Sequence, residues 1–308
     1  MKVGFIGVGT MGAPMAGRLI GGGHDVTVLD RDAARVDLLV ERGARRATDA
    51  LSLGAASEVV FVSLPNGAAL EAAVLDEQDG VLADMSSGAV IVDLSTNSRA
   101  LAERVGRACL ARGISPVDAP VSSISGSPDE GKLTMMVGGD ADAVAAVRPL
   151  LELLAINIVA LGPHGSGTAG KLLTQYLALT NMVAGMEAML CAVKAGVNVA
   201  AMLDLVQASN GDSHMFRMVR QVAEIHDFGT PGQINGLVEI MNKDISYAAE
   251  LAADLGVPHA VGGAAAAAFA DSMARGHAPY HFTRVVEPLE ESAGVELRIT
   301  EPTRGDSS

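Results

Sequence analysis

Residues 1–12 read MKVGFIGVGTMG, and this stretch decides the fold of the first half of the chain. A short apolar run ends in the pattern Gly-x-Gly-x-x-Gly, formed by Gly7, Gly9 and Gly12, and a helical pattern follows it. In a strand–turn–helix unit, the first glycine permits the turn, the second lets the backbone approach a pyrophosphate, and the third lets the helix pack against the strand. The stretch therefore predicts a dinucleotide cradle at a helix N-terminus.

An acid at the end of the second predicted strand supports this interpretation. Asp30 closes the run DVTVLD, 18 residues after Gly12, where a carboxylate accepts hydrogen bonds from ribose hydroxyls. Such an acid repels a 2′-phosphate, so NAD is favoured over NADP, although the neighbouring Arg31 could hold that phosphate. An S-adenosylmethionine site could share this geometry, and that alternative stays open here. The predicted cofactor contacts in this part of the chain are Gly7, Gly9, Thr10, Met11, Gly12, Asp30 and Arg31.

The first half of the chain alternates strand and helix signals, and the second half does not. Apolar strands separated by helix-length segments imply parallel pairing in a sheet covered on both faces. After Gly162 a long Ala/Leu/Met-rich helix and further helical stretches follow, without a convincing strand. The sequence therefore predicts an α/β fold, with a Rossmann-like doubly wound sheet followed by an all-α domain. The expected divisions are a dinucleotide-binding domain at 1–162, a helical substrate and oligomerisation domain at 163–299, and a flexible tail at 300–308. The predicted strands lie at 3–6, 25–30, 59–64, 90–94, 115–119, 133–137 and 157–161.

Composition excludes several classes of protein. The 308 residues carry 22 Lys plus Arg against 36 Asp plus Glu, a formal net charge of −14, which argues against a nucleic-acid partner. The 2 cysteines exclude a disulfide scaffold and a Cys-rich zinc site. His164, His214 and His226 are not at metal-ligand spacing, so no metal is predicted. The apolar stretch 260–270 is too short to span a membrane. We expect a cytoplasmic protein with no membrane partner.

Two more strand ends carry small polar residues. The sequence Ser-Leu-Pro-Asn begins at Ser63, and Asp-Leu-Ser-Thr ends at Thr96. In doubly wound sheets, ligands bind beyond the carboxyl ends of the strands. Leu64, Pro65 and Thr96 are therefore predicted to line the nicotinamide riboside, although plain capped turns remain an alternative.

A lysine stands near the start of the long helix, in the sequence GSGTAGKLLTQ at 165–175. Lys171, Thr174 and Gln175 are spaced i, i+3 and i+4, so they share one helix face. A lysine in a partly desolvated pocket can exchange a proton with a hydroxyl or carbonyl group, and Gln175 could hold the same substrate oxygen. A surface lysine near a helix start is the simpler alternative.

A third motif reduces the number of functions that the first two motifs leave open. The sequence DAPVSSIS begins at Asp118, and GKLTMMVGG follows at 131–139. Together with the glycine loop, the DLST turn, the GSGTAGK helix start and Asn-Lys-Asp at 242–244, it resembles the β-hydroxyacid dehydrogenase family. That family includes 3-hydroxyisobutyrate dehydrogenase and tartronate semialdehyde reductase, and 6-phosphogluconate dehydrogenase is distant kin. The resemblance extends over residues 1–293, with the motifs in the family's order.

The resemblance implies an oxidoreductase that acts on a CH–OH group, with its active site between the two domains. Lys171 matches the catalytic lysine, which accepts the hydroxyl proton in oxidation and returns it in reduction. Ser122 matches the serine that binds the substrate carboxylate, followed here by Ser123 and Ile124. Lys243 matches a lysine near the cofactor and active site. The implied partner is a small hydroxy acid or semialdehyde. The long apolar helix favours a homodimer or homotetramer.

Some positions depart from the family pattern. Ser-Gly-Gly is usual where this chain has Ser122, Ser123 and Ile124, an asparagine is usual at Thr174, and a phenylalanine is common at Gly236. These changes predict a reshaped pocket and a non-standard substrate, because Lys171 is kept. The alternatives are an imine or β-keto reductase of the same superfamily, or a non-catalytic nucleotide-binding protein.

Overall fold

A computed structural model describes residues 1–122, 128–231 and 236–299. The chain divides into two compact units, Met1–Lys171 and a second that begins at Leu172. The division falls within a helix that spans Ser166–Lys194. The predicted tail at 300–308 lies outside the described residues.

The first unit is built on one twisted sheet. In the described part of the chain the sheet has the strand order β3-β2-β1-β4-β5-β6-β8-β7, with β9 paired to β8. The six strands from β3 to β6 are all parallel, as the alternation of strand and helix signals predicts. The strands are β1 (Lys2–Ile6), β2 (Asp25–Leu29), β3 (Arg45–Arg46), β4 (Val59–Val62), β5 (Val90–Asp93), β6 (Ser115–Asp118), β7 (Val121–Ser122), β8 (Leu133–Gly139) and β9 (Ala155–Gly162).

Helices cover both faces of this sheet. One face packs Phe5 and Phe61 against α1 and α6, and the other packs Val60 and Ile91 against α3 and α5. Alternate residues of each strand therefore enter two separate cores, which explains why the strands are apolar without alternation. This arrangement confirms the doubly wound prediction. The helices are α1 (Gly12–Gly21), α2 (Ala33–Val40), α3 (Ala50–Ala56), α4 (Gly67–Leu70), α5 (Arg99–Leu110) and α6 (Ala141–Leu154).

The strand β8 reverses direction within the sheet. It extends the sheet as predicted, but it runs antiparallel to β6 and β7 and parallel to β9. Between β6 and β8 the described residues form only β7 and a 3₁₀ turn at Pro128–Glu130. A parallel return would need a crossover, usually through a helix, so β8 pairs antiparallel with its neighbours β6 and β7.

The second unit is built from helices joined by loops in its described residues. Its core contains Met182, Met186 and Met189 of the long helix α7, packed with Phe216 and Phe269 of later helices. In the described part of this unit, the only β pairing is one isolated bridge between Leu237 and His281. The helices are α7 (Ser166–Lys194), α8 (Val199–Gln207), α9 (Phe216–Ile225), α10 (Val238–Asp254), α11 (Ala260–Ala274) and α12 (Val286–Ala293).

By length and composition alone, α7 meets the criterion for a membrane-spanning helix. Its most apolar window has a mean hydropathy of 1.4, and half of that window is buried inside the protein. A buried core helix meets the same criterion. The expected absence of a membrane partner therefore stays a prediction.

Candidate functional site

The glycine loop after β1 is a turn that no other residue could form without moving its neighbours. Gly7 adopts φ +89°, and a Cβ atom there would lie 2.2 Å from the carbonyl oxygen of Ser63. A Cβ atom at Gly12 would lie 1.9 Å from the carbonyl oxygen of Gly7. Both distances are far inside van der Waals contact, so the first and third glycines have the roles that the sequence predicts.

The helix after this loop presents an open N-terminus. No side chain caps α1, and its first turn contains no acidic residue. Its unpaired N–H groups and the positive end of its dipole therefore favour an anion such as a pyrophosphate.

Asp30 joins the loop to the end of β2. Its Oδ2 accepts a hydrogen bond from the backbone N–H of Val8 at 2.7 Å, and its Oδ1 accepts one from the backbone N–H of Asp32 at 2.9 Å. The carboxylate is half-buried, and each of its oxygens can accept a further hydrogen bond. It is therefore held in place with capacity left for a ribose hydroxyl.

These elements surround a cavity of about 620 Å³ within the first unit. Its walls include the predicted cofactor residues Gly7, Gly9, Thr10, Met11, Gly12, Asp30, Arg31, Leu64 and Pro65. Arg35 and the methyl groups of Ala69, Ala72 and Ala73 also line it, and sequence reasoning missed them. The alanines follow β4 without any motif, whereas Arg35 could have been found from its place in the first turn of α2. An apolar wall, a glycine turn and an acid with further acceptor capacity fit an adenine dinucleotide.

The turn after β5 supports the part of the cavity wall that contains Leu64. Asp93 accepts hydrogen bonds from the backbone N–H of Ser95 at 2.8 Å and from Nδ2 of Asn97 at 3.1 Å. The Oγ of Ser95 in turn accepts a hydrogen bond from the backbone N–H of Leu64 at 2.9 Å. Thr96 is half-buried in this turn and is not among the residues that line the cavity. The Asp-Leu-Ser-Thr turn therefore fixes the loop that carries Leu64.

The buried Asp93 carboxyl has an unusual acidity. Burial raises its pKa to about 6, and the neighbouring charge of Asp118 acts in the same direction. The hydrogen bonds from Ser95 and Asn97 oppose this rise. Because the two aspartates face each other in the β5–β6 register, a buried acid pair stands at the carboxyl ends of adjacent strands.

Asp118 holds the start of the long helix. Its Oδ1 accepts a hydrogen bond from the backbone N–H of Gly165 at 2.8 Å, and its Oδ2 accepts one from the backbone N–H of Thr168 at 2.5 Å. Lys171, in the second turn of this helix, is buried with 8% of its surface exposed. The lysine that the sequence singled out is therefore not a surface side chain.

Close backbone packing explains the glycines before this lysine. A Cβ atom at Gly167 would lie 2.4 Å from the carbonyl oxygen of Met136 and 2.5 Å from that of Asp118. His164 lies beside this start, where burial lowers its pKa and the charge of Asp118 partly offsets that effect. The helix start thus lies directly on β6 and β8.

Ser122 lies at the end of β7. It pairs with Thr134 of β8 and is half-buried. Ser123 and Ile124, the other two residues predicted to meet the substrate carboxylate, lie outside the described residues.

In the second unit, Gln175 belongs to a polar cluster. Its Nε2 donates to Oδ2 of Asp244 at 2.8 Å, and Asp244 is buried. The Nζ of Lys243 lies 3.0 Å from Oδ1 of the same carboxylate and 5.5 Å from the ring centroid of Tyr247. Thr174 is exposed. The sequence pointed to Gln175 and Lys243, and it missed the buried Asp244 that contacts both.

The described histidines do not assemble a metal site. His226 pairs with Glu290 at 3.0 Å, and His214 is exposed. Within residues 1–122, 128–231 and 236–299, no group of three or more His, Cys, Asp or Glu side chains is placed to hold a metal ion.

Two family models match the chain. The NAD binding domain of 6-phosphogluconate dehydrogenase matches residues 2–162, and the NAD-binding domain of NADP-dependent 3-hydroxyisobutyrate dehydrogenase matches residues 165–289. The first match covers about half of the chain, and the two together cover most of it.

Individual proteins match over nearly the whole length. The 2-(hydroxymethyl)glutarate dehydrogenase of Eubacterium barkeri is 31% identical over 96% of this chain and 97% of its own. The 3-hydroxyisobutyrate dehydrogenase of Pseudomonas aeruginosa is 34% identical over 80% of this chain and 83% of its own. The structure of Mycobacterium tuberculosis 3-hydroxyisobutyrate dehydrogenase with L-serine matches with a TM-score of 0.82 and 27% identity, covering 94% of this chain and 98% of that one.

Proposed function

The chain belongs to the β-hydroxyacid dehydrogenase family of NAD(P)-dependent oxidoreductases, and we propose that it interconverts a β-hydroxy acid and its semialdehyde or keto form with NAD. The observation that carries this proposal is the buried Lys171, in a helix start that Asp118 holds against the sheet. The residues 1–162 would bind the cofactor, and the residues 163–299 would serve the substrate and subunit contacts.

Lys171 is proposed as the general acid/base. Its Nζ would accept the proton of the substrate hydroxyl in oxidation and return a proton to the carbonyl oxygen in reduction. When bound, the nicotinamide accepts the hydride that leaves the same carbon. Burial supports this role, because lysine side chains without a function ordinarily keep their ammonium group in water.

The substrate would be held through its carboxylate and its reacting oxygen. We assign the carboxylate to Ser122, Ser123 and Ile124, and the oxygen to Lys171 with Gln175 and Thr174. Because Gln175 turns its Nε2 to Asp244, its remaining Oε1 would face the substrate as an acceptor. Lys243 would lie near the cofactor.

The names of the relatives indicate a class of substrate. Serine, 3-hydroxyisobutyrate and 2-(hydroxymethyl)glutarate each carry a hydroxymethyl group on the carbon next to a carboxylate. We propose a substrate with this unit and a side chain that differs from that of 3-hydroxyisobutyrate, since Ile124 departs from the usual pattern.

NAD is proposed over NADP because Asp30 lines the cavity where the ribose would lie. A homodimer or homotetramer is proposed because α7 carries Leu173 and Leu177, which are 52% and 61% exposed, at i, i+4 spacing. A cytoplasmic location, with neither nucleic acid nor membrane as partner, is proposed from the acidic composition and the two free cysteines.

The test is a substrate panel followed by the absorbance of reduced nicotinamide. The panel contains small and bulky β-hydroxy acids, their semialdehydes and one cyclic imine, each with NAD and with NADP. Lys171→Ala should lower turnover by at least about a thousandfold and leave the Kd for NAD nearly unchanged. Turnover that survives in this variant would contradict the mechanism. Activity on the imine alone would favour an imine reductase.

A further inference from the structure

Two arginines stand at the adenosine end of the cavity, beside the acid that is expected to exclude NADP. Arg31 and Arg35 both line the cavity, next to Asp30. Arginine is the side chain best suited to hold a phosphate, because its planar fork can form two parallel hydrogen bonds. The walls therefore carry two side chains suited to bind a 2′-phosphate. A preference for NAD requires a group that opposes this binding.

The carboxylate of Asp30 has a structural role. Each of its oxygens already accepts a backbone N–H group, from Val8 and from Asp32. It ties the glycine loop to the turn before α2. Substituting Asp30 would loosen the loop on which any dinucleotide rests, so a variant at this position would lose affinity for NAD and NADP together and would not report on selectivity.

The next acid along the chain is placed differently. Asp32 caps α2 through Oδ1, which accepts the backbone N–H of Ala34 at 3.0 Å. Its Oδ2 lies 3.2 Å from Nε of Arg35, and both side chains are about half exposed. The Nη1 of Arg35 lies 2.9 Å from where a Cβ atom of Gly9 would stand. The paired guanidinium thus lies over the glycine turn, with a carboxylate attached to it.

From this arrangement we infer that Asp32 is a determinant of cofactor specificity, which excludes NADP by pairing with Arg35. The inference rests on the proposed preference for NAD. A 2′-phosphate brought to Arg35 would meet the Asp32 carboxylate, and like charges brought together at a binding site are strongly unfavourable. NAD, which has a hydroxyl group at that position, meets no such repulsion.

The test measures binding, so it does not depend on turnover. Calorimetry gives the Kd of the full-length protein for NAD and for NADP in the parent, Asp32→Ser, and Asp32→Ser with Arg35→Gln. Serine keeps a helix-capping oxygen and removes the charge. Asp32→Ser should raise the affinity for NADP relative to NAD by about tenfold or more. Adding Arg35→Gln should abolish most of this gain.

A matched control removes a different acid from the same helix. Asp37 is exposed and pairs with Arg46, so Asp37→Asn changes the net charge equally and should leave the NADP-to-NAD ratio of Kd values unchanged. The gain in Asp32→Ser should also shrink as salt is added, because the contact is partly exposed. Thermal unfolding of each variant checks that α2 is intact.

Two results would overturn the inference. One is an NADP-to-NAD ratio that stays within about twofold of the parent in Asp32→Ser. The other is a gain that persists undiminished when Arg35 is replaced. Failure of the proposed function looks different: Lys171→Ala would retain turnover, whatever the Kd values of these variants are.

Discussion

The carboxylate of Asp118, at the end of β6, accepts the backbone N–H of Thr168 across 50 residues of sequence, at 2.5 Å. Thr168 stands one turn before Lys171 in the same helix. An acid of the sheet therefore serves as the cap of the helix that carries the proposed catalytic lysine. The position of that lysine along its axis depends on this contact.

Replacing Asp118 by alanine should therefore impair both stability and turnover. The buried N–H of Thr168 and the half-buried N–H of Gly165 lose their acceptor, at a cost of about 1–3 kcal/mol in the free energy of unfolding. We expect kcat to fall by more than tenfold, with a smaller change in the Kd for NAD, because the cavity residues are untouched. Steady-state kinetics and calorimetry on the same preparation measure both.

Asp140→Ala provides the comparison for this variant. Asp140 caps α6 through the backbone N–H groups of Asp142 and Ala143, so its loss also removes a helix cap. It should cost about 1 kcal/mol of stability and leave kcat unchanged. Equal losses of kcat in the two variants would show that Asp118 has no special role in positioning Lys171.

Gly12→Ala should abolish nucleotide binding. The added methyl group would lie 1.9 Å from the carbonyl oxygen of Gly7, so the turn must open or the helix must move away. The Kd for NAD, measured by calorimetry, should rise at least about a hundredfold.

Gly21, at the end of the same helix, is the matched control. Its added methyl group would meet nothing within 4 Å, and alanine is the better helix former by about 1 kcal/mol. Gly21→Ala should therefore bind NAD normally and unfold at the same or a higher temperature. Normal NAD binding by Gly12→Ala would contradict the proposed cradle.

The stability of the first unit should fall as pH rises through about 6. Burial raises the pKa of Asp93 to about 6 from an ordinary 3.8, so between these values the folded state binds a proton that the unfolded state does not. Its contribution is fully present below pH 3.8 and is lost as pH rises through about 6. The size is about 3 kcal/mol in the free energy of unfolding.

Urea unfolding at pH 5 and pH 7.5 should show about 1.4 kcal/mol of this loss, because about one pKa unit of it falls above pH 5, and Asp93→Asn should reduce it. Asp76→Asn is the comparison, because hydrogen bonds from the backbone of Asp79 and Gln78 lower the pKa of Asp76. Its contribution is lost only below pH 3.8, outside the measured range. An unchanged pH dependence in Asp93→Asn would assign the effect to another group.

Gln175→Glu should destabilise the second unit. The new carboxylate would face Oδ2 of the buried Asp244 in place of a hydrogen-bond donor. We expect a loss of about 1–3 kcal/mol at neutral pH, measured by urea unfolding. Adding Asp244→Asn should restore part of it, since the pair regains a donor.

An exposed glutamine supplies the comparison. Gln221, on α9, is exposed, and Gln221→Glu should change stability by no more than about 0.5 kcal/mol. If Gln175→Glu behaves in the same way, the Gln175–Asp244 contact contributes little.

Local patterns were sufficient for the sheet and for most of the cavity. Each predicted strand overlaps a strand of the structure, because buried parallel strands are continuous apolar runs. Gly7, Gly12 and Asp30 could be assigned because a turn and an adjacent strand end require these residue types at short range. The alternation also predicted helices on both faces.

Contacts between distant residues were not predictable in this way. The Asp118–Thr168 and Gln175–Asp244 hydrogen bonds join residues 50 and 69 positions apart, and no periodicity encodes such pairs. The reversal of β8 depends on a hairpin whose pairing partners are set by tertiary packing.

Tertiary contacts also bear on the departure from the family pattern at position 236. Gly236, where the family often has a phenylalanine, adopts φ +72°, and ring atoms of Phe282 lie 3.1 and 3.3 Å from where its Cβ atom would stand. An aromatic ring is therefore next to this position after all, supplied from elsewhere in the chain. Comparing sequences at position 236 alone cannot show that Phe282 places an aromatic ring beside it.

All the residues that line the nucleotide cavity fall between Ile6 and Ala73, whereas Ser122, Lys171 and Gln175 come later in the chain. Under the proposed function, mutations at substrate-binding positions after residue 121 would alter the substrate while every residue that lines this cavity stays unchanged. Evolution of substrate range in such a chain need not pass through intermediates that lose their cofactor.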